Sequence, residues 1–252
     1  MTFPLTGRRA LITGVTSGIG AATAERVVEL GGQVLGTGRR KDRLAALEEK
    51  HPGKITTAVL DMQDTGAIAS FVDGLDETPD ILINNAGLAL GLSGADTADL
   101  DHWDRMIDTN VRGLVHLTRH LLPKMKPLER ADVINISSVA GSYPYPGGNA
   151  YGGTKAFVTQ FSLNLRPDLL GSNVRVTSVE PGLTETEFSN VRFEGDDSKA
   201  DAVYAGMKPL TGDDIARVIT DVLALPAHIN INRVEIMPVQ QAFGAFAISR
   251  ES

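Results

Sequence analysis

A tyrosine and a lysine stand four residues apart in NAYGGTKAF, which runs from position 149 to 157. If this stretch is helical, a four-residue step places the side chains of Tyr151 and Lys155 on one face, where both can act on one ligand. A free phenol has a pKa of about 10, and a neighbouring ammonium group lowers that pKa by favouring the phenolate. The pair is therefore a candidate proton-transfer site. The alternative is an ordinary surface pair, which is common at this spacing.

Two polar residues upstream are candidates for the same site. Ser138 ends the segment ADVINISS, and a hydroxyl at the end of a parallel strand lies at the edge where open α/β sheets bind ligands. Asn110 lies inside a long helical pattern, where asparagine is a poor helix former and indicates local distortion or a polar role. Taken alone, each residue also fits a structural role, as a serine cap or as a buried and hydrogen-bonded asparagine.

A glycine-rich turn, TGVTSGIG at 13–20, separates the first apolar segment from the first helical pattern. Its glycines at 14, 18 and 20 allow a tight turn and a close approach of the backbone to a pyrophosphate, and the following helix offers its positive N-terminal end. The spacing differs from the usual dinucleotide fingerprint, so the prediction rests on the strand, turn and helix context. A glycine-rich turn without a ligand is the alternative.

The residues that end the second predicted strand indicate which dinucleotide binds. NAD-binding folds usually carry an acid there for the adenosine 2'-hydroxyl, whereas this chain has Gly38, Arg39 and Arg40. Two guanidinium groups suit the 2'-phosphate that distinguishes NADP from NAD. A solvated arginine pair at the start of a helix is the alternative. Beside a dinucleotide turn, the missing acid favours NADP.

Strands and helices alternate along the chain and must position these residues. The seven predicted strands are RRALITG, QVLGTG, KITTAVLD, DILINNAG, ADVINISS, NVRVTSVEPG and INRVEIMP. Their alternation with helices predicts an α/β fold, a Rossmann-type doubly wound sheet of parallel strands with helices on both faces. No linker-like segment divides the chain, so we expect a single NADP-binding domain over 1–252. The irregular stretch at about 183–210 is expected to be a substrate lid.

Composition narrows the class of protein. The chain has 252 residues, of which 42% are apolar and 22% charged, values typical of a soluble globular protein. It has no cysteine, which excludes disulfides and thiolate chemistry and suits a reducing cytoplasm. The net charge is -7 and the sequence contains no block of basic residues, so nucleic acid is not an expected partner. We find no signal-peptide or membrane-spanning pattern and expect an unexported protein that does not bind membranes.

Taken together, the motifs resemble those of the short-chain dehydrogenase/reductase family over nearly the whole chain. TGVTSGIG, Asp61 in VLDM, NNAG at 84–87, Asn110, Ser138, YGGTK and EPG at 180–182 all fall where the family's motifs fall. The resemblance implies that Tyr151 is the general acid or base and that Ser138 orients the reacting oxygen. It also implies that Lys155 holds the nicotinamide ribose while lowering the tyrosine pKa. Asn110 would anchor a proton-relay water, and Asp61 would face the adenine.

The same resemblance implies a set of cofactor contacts and an assembly. The contacts would be made by Gly14, Thr16, Ser17, Gly18, Ile19, Gly20, Arg39, Arg40, Asp61, Asn85, Ala86, Gly87, Tyr151, Lys155, Pro181, Gly182 and Thr186. No metal is expected to take part. A homotetramer is the assembly that the resemblance implies.

Within the family, the chain is most similar to the NADP-dependent 3-hydroxy acid dehydrogenases, which oxidise serine, allo-threonine and related acids. NNAGLALG, MIDTN, YGGTKAFVTQFSLNLR, VEPG, TEFSNVRFEGDD and LPAHININ carry this similarity. We therefore expect hydride transfer between NADP(H) and the hydroxyl-bearing carbon of a small 3-hydroxy acid. A short-chain 3-oxoacyl or ketone reductase is one alternative, and a non-catalytic NADP-binding protein is another.

A 3-hydroxy acid brings a carboxylate into the site, and burying that charge requires a cation or several donors. In EFSNVRFEGDD the only basic residue is Arg192, which we expect to grip the carboxylate through two parallel hydrogen bonds. The alternative is a surface pair between Arg192 and Glu194, Asp196 or Asp197. Tyr145 and the backbone amides of PGG at 146–148 are rival donors.

Overall fold

A computed structural model describes residues 4–244, the side chains of 200 and 201 excepted. The strands are β1 Arg9–Thr13, β2 Gln33–Gly38, β3 Ile55–Val59, β4 Ile81–Asn84, β5 Ala131–Ile136, β6 Val174–Pro181, β7 Thr184–Glu185, β8 Leu210–Thr211 and β9 Arg233–Ile236. The α-helices are α1 Gly18–Glu29, α2 Lys41–Lys50, α3 Thr65–Asp73, α4 Leu100–Ile107, α5 Leu114–Met125, α6 Asn149–Asp168, α7 Phe188–Arg192, α8 Asp197–Ala202 and α9 Gly212–Ala224.

Seven of these strands form one parallel sheet in the order β3-β2-β1-β4-β5-β6-β9. The predicted fold class, strand direction and strand number are therefore confirmed. From β1 the chain moves outward to β3 and then returns to place β4 on the other side of β1. This reversal separates the loops that follow β1 and β4, and open α/β sheets bind ligands in the crevice that results.

Two buried layers hold the sheet. On one face, apolar side chains of α1, α2 and α9 pack on the strands, and on the other those of α3, α5 and α6 do so. In α9, Ile215, Ile219 and Leu223 are fully buried at four-residue spacing, and each such side chain contributes about 1.5–3 kcal/mol. A capping box between Thr211 and Asp214 begins this helix. Within residues 4–244, no helix combines the length and apolarity needed to cross a membrane.

The helical pattern over residues 100–125 is interrupted rather than continuous. Between α4 and α5, residues Asp108–Gly113 form a π-helical segment that contains Asn110. The distortion expected from this asparagine is therefore present. A Cβ added at Gly113 would lie 2.2 Å from the carbonyl oxygen of Met62, in the loop that follows β3. The π-helical segment therefore approaches this loop at a distance that only glycine permits.

The 183–210 segment is more ordered than the sequence predicts. It contains α7 and α8, and its ends pair as the two-residue strands β7 and β8. The Tyr204 hydroxyl closes the segment on itself, because it donates to the Thr184 carbonyl oxygen at 2.9 Å and lies 2.6 Å from Ser189 Oγ. Elements this short leave no periodic pattern in the sequence, which is why they were missed.

Candidate active site

A cleft of about 720 Å³ opens at the carboxyl ends of the strands, covered on one side by the 183–210 segment. Of the predicted site residues, those that line it are Gly14, Thr16, Ser17, Gly18, Ile19, Arg39, Arg40, Asp61, Asn85, Ala86, Gly87, Ser138, Tyr145, Tyr151, Lys155, Pro181, Gly182, Thr186 and Arg192. The other two, Gly20 and Asn110, lie behind its surface. The fold therefore brings the predicted phosphate end and the predicted chemical end into one cleft.

The glycine-rich turn forms a cradle at one end of the cleft. Gly14 adopts a φ of 76°, and a Cβ there would lie 3.0 Å from Asn85 Nδ2. The Thr13 hydroxyl supports the turn from below by accepting hydrogen bonds from the amides of Asn85 and Ala86. The side chain of Ser17, the N-cap residue of α1, makes no capping hydrogen bond, which leaves the amides of the first turn available to a ligand in the cleft. Such a cradle fits the pyrophosphate of a dinucleotide.

Gly20 does not line the cleft, and its predicted contact with the cofactor stays a prediction. A Cβ on Gly20 would lie 2.3 Å from the carbonyl oxygen of Gly14 and 2.4 Å from Asn85 Nδ2. The residue is thus packed beneath the turn, where it allows α1 to approach the loop after β4. The absence of a side chain at Gly20 is what lets the cradle adopt this shape.

The end of β2 carries two arginines and leaves little room for an acidic side chain at Gly38. A Cβ at Gly38 would lie 2.7 Å from Thr16 Cγ2, so an aspartate there would require the Thr16 side chain to shift. Arg39 extends into solvent with its Nη1 3.9 Å from Asp61 Oδ2. Arg40 is held more firmly, because its Nη2 donates to the hydroxyls of Thr16 and Ser17, both at 2.9 Å.

Tyr151 and Ser138 meet at the other end of the cleft. α6 begins at Asn149, so Tyr151 lies in its first turn, where it packs in a buried cluster with Leu88, Leu90 and Met106. Burial raises the pKa of the Tyr151 phenol to about 12, and the hydrogen bond with Ser138 only partly offsets this. The sequence predicts that the Lys155 ammonium lowers the pKa of this phenol. In the polypeptide without a cofactor, desolvation has the larger effect, and the pKa of Tyr151 is raised instead.

Lys155 lies one turn further along α6, as predicted. Its Nζ donates to the carbonyl oxygen of Ile136 at 2.9 Å and lies 5.8 Å from the centre of the Tyr151 ring. Burial lowers the pKa of this ammonium to about 8. Tyr151 and Lys155 are therefore a buried pair in one site, which excludes the alternative of an ordinary surface pair.

The lowered pKa of Lys155 predicts how stability depends on pH. Between a folded pKa of about 8 and the ordinary value of 10.5, the unfolded chain retains a proton that the folded chain has released. Stability rises with pH wherever the unfolded state binds more protons. Raising the pH from about 8 to about 10 should therefore stabilise the wild type relative to Lys155→Met. Urea midpoints of both proteins at the two pH values measure this, and a difference that does not change with pH would contradict it.

Asn110 acts on the loop after β4 through its side chain. Its Oδ1 accepts from the Leu88 amide at 2.9 Å, and its Nδ2 donates to the Leu88 carbonyl oxygen at 2.8 Å and to Thr154 Oγ1 at 3.1 Å. These bonds clamp the cleft-lining loop against α6. A water-anchoring role for Asn110 stays a prediction.

Arg192 lies over the chemical end of the cleft. Its Nη2 donates to the Tyr145 hydroxyl at 2.7 Å, and its guanidinium carbon lies 5.6 Å from the centre of the Tyr151 ring. The three acids considered as alternative partners are engaged elsewhere: Glu194 with His102, Asp196 with Lys199, and Asp197 with Asn190. The surface pairing is therefore not formed, and Arg192 and Tyr145 form one cationic and hydroxyl-bearing patch.

Two residues of the cleft region were missed by sequence reasoning. Glu187 lines the cleft and accepts hydrogen bonds from both Arg40 and Arg43. The spacing of Arg43, one turn of helix after Arg39 and Arg40, was a signal available in GRRKDRL. Glu187 left no signal, because its partners lie 144 and 147 positions away in sequence.

The fold and these residues define a dinucleotide-dependent oxidoreductase site. The chain belongs to the short-chain dehydrogenase family, whose sequence model, described as short chain dehydrogenase, matches residues 8–197. The family predicted from the motifs is therefore confirmed. A serine 3-dehydrogenase of Rhizobium radiobacter is 52% identical over 247 residues, which cover 96% of this chain and 98% of that protein.

Two further comparisons also match dehydrogenases over nearly the whole chain. An NADP-dependent 3-hydroxy acid dehydrogenase, YdfG, of Salmonella typhi is 51% identical over 244 residues, covering 95% of this chain and 98% of its own. Among solved structures, the closed form of a serine dehydrogenase complexed with NADP+ matches with a TM-score of 0.94 at 47% identity, over 96% of this chain and 100% of that one.

Proposed function

We propose that this chain is an NADP-dependent dehydrogenase that transfers a hydride between the cofactor and the hydroxyl-bearing carbon of a small 3-hydroxy acid, such as serine or allo-threonine. The observation that carries the substrate class is the guanidinium of Arg192 beside the Tyr145 hydroxyl and over the Tyr151 ring. A carboxylate bound there lies within a few ångströms of the proton-transferring phenol. The names of the relatives at about 50% identity support the same substrate class and cofactor.

The residues at the phosphate end fit NADP. The cradle around Gly14 would hold the pyrophosphate, Arg39 and Arg40 the 2'-phosphate, and Asp61 the adenine side. Lys155 would hold the nicotinamide ribose. When bound, the oxidised cofactor supplies the hydride acceptor and a positive charge beside the phenol.

The chain's own residues handle the proton. In the oxidation, Tyr151 Oη takes the proton of the substrate hydroxyl as the carbon loses a hydride, so the alcohol becomes a carbonyl without charge left on its oxygen. Ser138 holds that oxygen. Because burial keeps the Tyr151 pKa at about 12, the phenolate needs positive charge nearby. In the polypeptide, the Lys155 ammonium lies 5.8 Å and the Arg192 guanidinium carbon 5.6 Å from the centre of the Tyr151 ring.

The two alternatives differ in what they ask of the cleft. A 3-oxoacyl or ketone reductase needs an apolar acyl channel and has no use for a guanidinium over the reacting centre, so Arg192 favours the acid. A non-catalytic NADP-binding protein needs neither Ser138 nor Tyr151 at the chemical end, yet both line the cleft together with Lys155.

A panel assay tests the proposal. The purified protein would be assayed with NADP and with NAD against serine, allo-threonine, 3-hydroxyisobutyrate and acyl thioesters. We expect saturable NADP reduction with at least one 3-hydroxy acid. Turnover of the thioesters alone would move the assignment to the reductase, and binding of NADP without turnover of any compound would favour the non-catalytic protein.

Cofactor preference supplies a separate prediction. Arg39→Leu should raise the KM for NADP about tenfold or more and leave the KM for NAD nearly unchanged, because only NADP carries the 2'-phosphate. Arg39 is the better probe than Arg40, since Arg40 also supports the turn through Thr16 and Ser17. Lys41→Leu, which removes an exposed charge two positions away, is the matched control. Equal losses with both cofactors would show that Arg39 does not read the 2'-phosphate.

We also propose that 1–252 is a single NADP-binding domain in which residues 183–210 serve as the substrate lid, acting as a homotetramer in the cytoplasm. The lid role is supported by the position of Phe188 and Arg192 over the cleft. The assembly rests on the family resemblance, and the location on the absence of cysteine, which suits a reducing compartment. Light scattering of the purified protein tests the tetramer, and cell fractionation tests the location.

A further inference from the structure

Glu187 joins two arginines at the phosphate end of the cleft. Its Oε2 accepts from Arg40 Nη1 at 2.8 Å, and its Oε1 accepts from Arg43 Nη1 at 2.6 Å. Arg43 Nη1 also donates to the Thr16 carbonyl oxygen at 3.2 Å, within the glycine-rich turn. The hydrogen bond from Arg40, followed by that from Arg43, lowers the pKa of Glu187, so this carboxylate is charged at neutral pH. The start of the 183–210 segment is thereby attached to α2 and to the turn.

The same short helix reaches the chemical end of the cleft. Glu187 directly precedes α7, whose five residues begin with Phe188 and end with Arg192. The Phe188 ring lies 5.8 Å from the Tyr151 ring, and Arg192 donates to the Tyr145 hydroxyl. At 1.5 Å per residue, α7 spans about 7 Å. One short helix therefore connects the arginines of the phosphate end with the guanidinium over the proton-transferring phenol.

From this connection we propose that Glu187 is a positioning residue that couples recognition of the cofactor's 2'-phosphate to placement of Arg192 over the substrate. The proposal rests on the function proposed above. The Arg40 guanidinium binds the carboxylate of Glu187 and, in the proposed function, would also bind the 2'-phosphate. Arg43, which also contacts Thr16, keeps Glu187 in place when the phosphate draws on Arg40.

The charges predict opposite effects at the two ends of the cleft. The carboxylate of Glu187 repels a 2'-phosphate and competes with it for Arg40, so Glu187 weakens NADP binding. The same carboxylate fastens α7 and with it Arg192, so it strengthens binding of an acid substrate. A residue that only supported the fold would, when replaced, weaken both. The side chains of Glu187, Arg40 and Arg43 are each 38–42% exposed, so solvent screens these pairs and the expected effects are modest.

The test is steady-state kinetics of Glu187→Gln, which keeps the shape of the side chain and removes its charge. We expect the KM for the 3-hydroxy acid to rise about fivefold while the KM for NADP falls. Glu185→Gln is the matched control, since Glu185 carries the same charge two positions earlier, is exposed, and should change neither value. A parallel rise of both KM values in Glu187→Gln, or an unchanged KM for the acid, would overturn the proposal.

A second pair of variants tests the partner. Arg43→Gln should raise the KM for the acid as Glu187→Gln does, and Arg43→Lys should largely restore it, because a lysine retains the charge that holds Glu187. Failure of the lysine to restore the KM would count against the coupling. If the wild type oxidises no 3-hydroxy acid, the proposed function fails. Calorimetric titration with NADP then decides the coupling: a lower Kd for Glu187→Gln than for wild type supports shared use of Arg40, and an equal or higher Kd overturns it.

Discussion

Tyr151→Phe should lower kcat by a factor on the order of 10² to 10⁴ while leaving the Kd for NADP and the unfolding midpoint close to those of the wild type. The substitution removes only the oxygen that exchanges the proton. The ring remains against Phe188, 5.8 Å away, and beneath the guanidinium of Arg192. A large loss of rate with intact binding is the signature of an interaction made during proton transfer. Single-turnover reduction of NADP measures the chemical step directly.

The control for this variant is another removal of a phenol hydroxyl. Tyr143 also lines the cleft, but its hydroxyl donates to Glu235 Oε1 at 3.1 Å, away from Ser138 and Lys155. Tyr143→Phe should therefore retain most of the wild-type kcat. If Tyr151→Phe also retained most of its kcat, the proton would have to come from another group, and the assignment of Tyr151 would be abandoned.

Arg192→Met should raise the KM for a 3-hydroxy acid at least about tenfold, equivalent to about 1.4 kcal/mol, and leave the KM for an uncharged alcohol nearly unchanged. The physical reason is desolvation, since a carboxylate that enters the cleft must exchange water for protein donors. Arg192 and the Tyr145 hydroxyl form such a donor patch, and the guanidinium carbon lies 5.6 Å from the centre of the Tyr151 ring. Methionine keeps much of the length of the side chain and its contact with the ring, so the charge is what the variant tests.

Two further variants separate charge from shape. Lys199→Met removes a charge from the same segment at a position that pairs with Asp196 on the surface, and it should change neither KM. Arg192→Lys retains the charge but loses the planar fork, so its KM for the acid should fall between those of wild type and Arg192→Met. If Arg192→Met raised the KM of the acid and of the uncharged alcohol alike, Arg192 would shape the cleft without reading the carboxylate.

Features that depend on neighbours along the chain could be predicted from the sequence. The alternation of apolar strands and amphipathic helices was enough to predict a doubly wound parallel sheet. The four-residue step from Tyr151 to Lys155 was enough to place both on one helical face, because helix geometry is local. The same holds for the distortion around Asn110, where a residue with poor helix propensity coincides with the π-helical segment.

Interactions between distant segments, and the solvent exposure that sets ionisation, were decided by the tertiary structure. Burial of Tyr151 raises its pKa to about 12, against the direction expected from its lysine neighbour alone. Gly20 serves the packing of Gly14 and does not line the cleft, a distinction that requires the loop after β4 to be in place.

The pairing of charged side chains across the cleft was likewise decided by the tertiary structure. From sequence spacing alone, Arg192 could pair either with the acidic residues beside it or with a substrate carboxylate. In the folded chain its guanidinium instead donates to the hydroxyl of Tyr145. The fold also brought Glu187 to Arg40 and Arg43, across about 145 positions of sequence. Periodicity and propensity describe how a residue relates to its neighbours within a few turns. Desolvation and long-range ion pairs depend on which surfaces the folded sheet brings together, and no local pattern encodes that.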